Sequence, residues 1–160
     1  MTFNNYTQKS LEAVQSAQNI AVQHSNQQLE QIHLLLALLQ QDGGLTPQLL
    51  RKMGVNAESL EAAAKAEVRN LPTVTGSREA DRFYISAAVD ATFCTAEQQA
   101  QRMKDDFISV EHLLLALIEA AQGSVKNLFE TYRVTKEGVL QALQGIRGSQ
   151  RVTTDNPEST

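Results

Sequence analysis

At 160 residues, with 42% hydrophobic and 20% charged side chains, the chain is long enough to bury a core and short enough to limit it to one domain or two small lobes. Eighteen Asp and Glu against fourteen Lys and Arg give a formal charge of -4, and the basic residues are scattered, which argues against a nucleic-acid partner. A single cysteine, Cys94, excludes an internal disulfide or a cysteine-based zinc site and fits a reducing compartment; in a helix it is expected to be a small buried residue.

The N-terminus has neither a basic region nor an apolar stretch of the kind that directs secretion. The longest apolar run, Leu34 to Leu39, is far short of the roughly 20 residues that span a bilayer, so no membrane partner is expected and the protein is assigned to the cytoplasm. Thr7 is placed to cap a first helix whose Leu11, Val14, Ala17, Ala21 and Val22 form one apolar stripe at spacings of three and four. A second helix is predicted over Glu30 to Gln41, ending at Asp42-Gly43-Gly44. Thr46-Pro47, a capping hydroxyl before a proline at the first helical position, predicts a short third helix through Met53, closed by Gly54. Asn56 caps a fourth, with Leu60, Ala63, Ala64 and Val68 inward, and Leu71-Pro72 breaks it.

The chain is then written a second time. His112-Leu113-Leu114-Leu115-Ala116-Leu117 repeats His33-Leu34-Leu35-Leu36-Ala37-Leu38 at a shift of 112 − 33 = 79 positions, and the same shift pairs Ala17 with Ala96, Ala21 with Ala100, Gly44 with Gly123, Leu49 with Leu128 and Val55 with Val134. The second copy starts at Ser86 with Ile85, Val89, Phe93, Ala96, Ala100 and Met103 as its stripe; its other helices are predicted over Ser109 to Ala121, Ser124 to Tyr132 and Thr135 to Ile146. Leu71 to Ser77 has breakers and β-branched residues and is expected to be extended, while Ser149 to Thr160, with Val152 its one apolar residue, is expected to be a disordered linker. The fold class is therefore all-α, about eight helices in two pseudo-twofold-related four-helix repeats, with the paired Leu-Leu-Leu-Ala-Leu helices at the centre of the core.

Catalytic chemistry is hard to find. There is no Gly-Lys pair to begin a nucleotide-phosphate cradle and no His-Glu-x-x-His helix. His33 and His112 are related by the repeat and could be imagined as a dyad-related metal pair, but no Cys, Asp or Glu cluster completes a ligand set, so a structural role at each helix start is expected. Cys94 with His112 lacks an orienting third group for nucleophilic work. Asp105-Asp106 and Glu111 could pair as carboxylates, although a solvated turn is the commoner meaning, and Arg147 and Arg151 are expected to face water.

Two such repeats about eighty residues apart, each preceded by a helix bearing Ala-x-x-x-Ala (Ala17 and Ala21, Ala96 and Ala100), resemble the duplicated Clp-N domain of Clp-family AAA+ chaperones. The connector Asn70 to Gly76, the segment Asp105 to His112 and the tail Gln150 to Glu158 are most similar to the disaggregases of that family. The resemblance divides the chain into a Clp-N domain over 1–148 (repeat one 6–70, connector 71–84, repeat two 85–148) and a linker, 149–160, towards an ATPase module. It implies no cofactor here, with ATP and Mg bound elsewhere in the full-length protein, a non-catalytic fragment that is monomeric alone, and a full-length homohexamer working with the DnaK chaperone system.

As clients it implies misfolded or aggregated polypeptides, with Thr7, Asp105 and Glu111 as contact residues, and a groove between the first helices of the two copies with Leu11 and Phe93 near it. Polar groups beside an apolar groove suit an extended backbone. Thr7 is equally a helix cap, and Glu111 equally a carboxylate at a helix N-terminus. An adaptor-docking N-domain of a protease-associated Clp ATPase is the other reading.

Overall fold

The computed structural model describes residues 3–74 and 84–147. The first copy supplies α1 (Gln8–Gln23), β1 (Gln28–Leu29), α2 (Gln31–Gln40), α3 (Leu45–Lys52) and α4 (Ala57–Arg69); the second supplies β2 (Tyr84–Ile85), α5 (Ala87–Arg102), α6 (Val110–Ala120), α7 (Gly123–Tyr132) and α8 (Lys136–Arg147). The eight predicted helices are thus present, in the predicted order.

The hydrophobic helices α2 and α6 lie at the centre and touch each other, with every residue from Gln31 to Leu39 and from Val110 to Leu117 buried. The remaining helices wrap this pair: α1 packs on α2 and α6, α5 on α6 and α2, α3 on α8, and α4 on α7. Each of these contacts between copies has a mate under the 79-residue shift, so the pseudo-twofold relation of the sequence is also one of packing.

The copies interlock through their backbones. In the parallel pair β1–β2, Leu29 stands opposite Ile85, and Tyr6 bridges Ile108 in the same sense; 29 + 79 is 108 and 6 + 79 is 85. The Ser86 N–H donates to the Leu29 carbonyl at 3.0 Å, and the Thr7 N–H to the Ile108 carbonyl at 2.9 Å. The lead-in to the first helix of each copy is therefore fastened to the lead-in to the second helix of the other, and neither copy can satisfy these backbone groups alone.

Several local features depart from the expectations above. On α1 the buried face is Ser10, Ala13, Val14, Ala17, Ile20 and Ala21, while Leu11 and Val22 are 39% and 54% exposed. At 3.6 residues per turn, Leu11 and Val22 flank the face instead of lying on it, and small Ser10 and Ala13 take the inward positions. Ile85, at 40% exposure, likewise falls outside the α5 stripe, which runs through Val89, Phe93, Ala96 and Ala100. Gly44, not Thr46, is the N-cap of α3; Thr46 is buried at its second position and Pro47 sits third, still within the first turn, where no N–H partner is needed. Cys94 is exposed on α5. The start of the connector is extended as expected, Thr73 bridging Asn26 and the Val74 N–H donating to the Ser25 carbonyl at 2.8 Å; residues 75–77 and the predicted linker lie outside the described residues.

Candidate functional site

The two repeated histidines organise matching corners. Each is the third residue of its hydrophobic helix and reaches back to the N-cap: the Glu30 N–H donates to His33 Nδ1 at 2.9 Å, and the Ser109 N–H to His112 Nδ1 at 2.8 Å. A nitrogen that accepts from a backbone N–H carries no proton, so the donor in each ring is Nε2. His33 Nε2 donates to Asn26 Oδ1 at 2.8 Å, and His112 Nε2 to Asp105 Oδ2 at 2.7 Å. Both rings are fully buried. Neither belongs to a group of three or more His, Cys, Asp or Glu able to hold a metal ion among the described residues.

For His33 the consequence is measurable. Burial, and secondarily the nearby His24, lower its pKa from 6.5 to about 4. An unfolded His33 takes up a proton near pH 6.5 and the folded one near 4, so the unfolded state binds more protons between these values. The contribution to stability is complete above pH 6.5 and falls as the pH drops towards 4, by roughly 3 kcal/mol. Urea unfolding at pH 7.5 and 4.5 should show this loss, and His33→Gln should flatten the difference. An unchanged profile in the variant would assign the acid sensitivity elsewhere.

The second corner carries charge where the first does not. Asp105, preceded by Lys104 in a left-handed conformation (φ 59°), is turned inward, its side chain fully covered. Arg147, the last residue of α8, bonds Asp105 Oδ1 and places Nη1 3.7 Å from Glu111 Oε2, with its side chain only 10% exposed. Glu111 also accepts from Ser109 Oγ. The expectations of a solvated turn at Asp105 and a water-facing Arg147 are both replaced by a buried ionic corner. Sequence reasoning missed Arg147, and the available signal was its alignment with Val68, a buried position of the first copy.

Thr7 meets this corner from the other copy. Its Oγ1 accepts from the Ser10 N–H at 3.2 Å, capping α1, and Ser10 Oγ donates to the carbonyl of Ile108 at 2.9 Å, immediately before Ser109. The structure therefore gathers Thr7, Asp105 and Glu111 around the Tyr6–Ile108 bridge, as parts of a bonded network that is largely covered. Phe93 is buried in an aromatic cluster, with ring centroids 5.4 Å from Phe3 and 6.3 Å from Tyr6, both edge to face. Leu11 follows Thr7 by one turn, its N–H donating to the Thr7 carbonyl at 3.0 Å, and is the apolar side chain of the five that reaches solvent.

The chain matches the family model described as the Clp repeat (R) N-terminal domain over residues 5–153. It is 42% identical over 161 residues to the chaperone protein ClpB of Bacillus cereus and 36% identical over 161 residues to that of Clostridium tetani; each alignment takes in 100% of this chain and 18% or 19% of the relative, so the chain spans under a fifth of the length of these curated relatives. Among solved structures it resembles the Hsp104 N-terminal domain from Candida albicans, with a TM-score of 0.82 at 21% identity, covering 98% of this chain and 100% of that one. The N-terminal domain of the ClpV1 ATPase from E. coli is similar at a TM-score of 0.75 and 19% identity, covering 99% and 93%.

Proposed function

The chain belongs to the Clp repeat (R) N-terminal domain family, the region found in ClpB-type chaperones, and from that premise we propose that it recognises misfolded or aggregated polypeptides for an ATP-driven disaggregase. The observation that carries this reading is spatial: Thr7 of the first copy and Asp105 and Glu111 of the second, about a hundred residues on, converge on one junction between the copies, with exposed Leu11 one turn from Thr7. Exposed Leu11 offers a contact for a client's apolar side chain, and the covered, bonded Thr7, Asp105 and Glu111 fix the junction that presents it.

The remainder of the proposal concerns a longer protein: a cytoplasmic homohexamer that binds ATP and Mg, works with the DnaK system and threads the captured client. This chain contains no Gly-Lys pair and does not fit the nucleotide, which would be held elsewhere. Its own role is capture and release. A few side chains engaging a floppy segment give weak binding, on the order of micromolar to millimolar.

An adaptor-docking role is the second reading; the N-terminal domain of the caseinolytic protease associated chaperone ClpD of Arabidopsis thaliana shares the fold, with a TM-score of 0.70 at 20% identity. The ClpB relatives, matched along the whole chain, favour the first. Titration of the fluorescently labelled chain with reduced, carboxymethylated lactalbumin, a permanently unfolded protein, is expected to give saturable binding in that range. Equal binding to native lactalbumin, or none to the unfolded form, would overturn the client reading.

A further inference from the structure

We propose that Arg147 is a positioning residue of the client site, holding Asp105 and Glu111 as one oriented pair; this rests on the client reading given above. The duplication provides an internal control. Under the 79-residue shift Asp105 corresponds to Asn26, Glu111 to Ile32 and Arg147 to Val68. All three counterparts are buried, and around them the first copy builds the same helix start, with His33 bonding Asn26 as His112 bonds Asp105. The scaffold is therefore closed in one copy with an amide and two aliphatic side chains, and nothing in this helix start itself calls for three charges.

Charges in a covered corner are costly to desolvate, and replacing such a set with fitted apolar residues is often neutral or stabilising. Their presence in one copy alone calls for a role other than folding. The geometry gives Arg147 that role. Asp105 precedes α6 and Glu111 lies in its first turn, and the Arg147 guanidinium, brought in from α8, faces a carboxylate oxygen of each. A planar guanidinium fixes the orientation of two carboxylates in a way that a lysine ammonium, a point charge on a flexible stem, does not. Two residues away from Asp105 and Glu111 in opposite directions, Phe107 and Ser109 flank Ile108, whose carbonyl accepts from Thr7 and Ser10; the pair is thereby set against the Thr7 junction.

The test uses the wild-type chain, Arg147→Lys, and a triple variant carrying the residues of the first copy, Asp105→Asn, Glu111→Ile and Arg147→Val. Each is checked for a cooperative melt and titrated with reduced, carboxymethylated lactalbumin. The triple variant is expected to fold with a melting temperature no lower than that of Arg147→Val alone and to bind at least tenfold more weakly than wild type. Arg147→Lys is expected to fold and to bind several-fold more weakly, an effect that a purely structural charge would not show. Wild-type affinity in either variant overturns the inference while leaving the client reading in place. A triple variant that does not fold overturns it too, since the charges would then be needed by the scaffold. Absence of binding by the wild type removes the client reading, and this inference with it.

Discussion

Arg147→Met alone is expected to destabilise the fold by about 3–5 kcal/mol, the scale for removing one partner from a buried ionic set. The substitution preserves much of the side-chain volume but deletes the guanidinium that bonds Asp105 and lies 3.7 Å from Glu111, in a corner where those two residues are 9% and 5% exposed. Both carboxylates must then recruit water, take up protons or open the corner. Urea unfolding at pH 7.5 provides the measurement, and adding Asp105→Asn and Glu111→Ile should recover most of the loss. A loss under about 1 kcal/mol for the single variant would mean that the ion pairs are solvated.

The second large effect is expected at Gln31. Its amide Nε2 donates to Thr92 Oγ1 at 3.0 Å and to the Ala120 carbonyl at 2.9 Å, while its Oε1 accepts from the Gln122 N–H at 3.0 Å. One buried side chain thus joins the start of α2 to α5 and to the turn between α6 and α7. Gln31→Leu keeps the volume and leaves these partners without the amide, at about 3 kcal/mol. For a domain of this size that corresponds to a fall of roughly 10 °C in melting temperature. Gln40→Leu, at the exposed far end of the same helix, should change stability by under about 0.5 kcal/mol. Similar effects at both positions would contradict the bonding network.

What the sequence made legible follows from what repeats and periodicity encode. The helix count, the duplication and the central α2–α6 pair were readable because apolar residues at spacings of three and four, and a matched hexapeptide, leave strong marks. The caps at Thr7 and Asn56 were readable because a hydroxyl or amide before an apolar run has one common use. The interlocking of the copies was not, since backbone bonds such as Thr7 to Ile108 leave no compositional trace.

The candidate site was legible in its members and not in its bonding. Asp105 and Arg147 look like surface charges when each is read beside its neighbours in the chain, and only the fold reveals that 42 residues of separation closes into an ion pair. Leu11 misled in the opposite sense: at the border of a stripe, periodicity alone does not decide whether a leucine is inside or out. The pseudo-symmetry separates the two corners, because matching helix starts with different side chains isolate what the second copy adds.

The central claim, that one asymmetric junction of a symmetric fold takes the client, is tested most directly by amide chemical-shift mapping of the wild-type chain with reduced, carboxymethylated lactalbumin. The account predicts shifts concentrated at Thr7, Leu11 and residues 105–112, with the symmetry mates Ser86, Asp90 and 26–33 little changed. Equal shifts at both junctions, or shifts confined to α3 and α4, would contradict it.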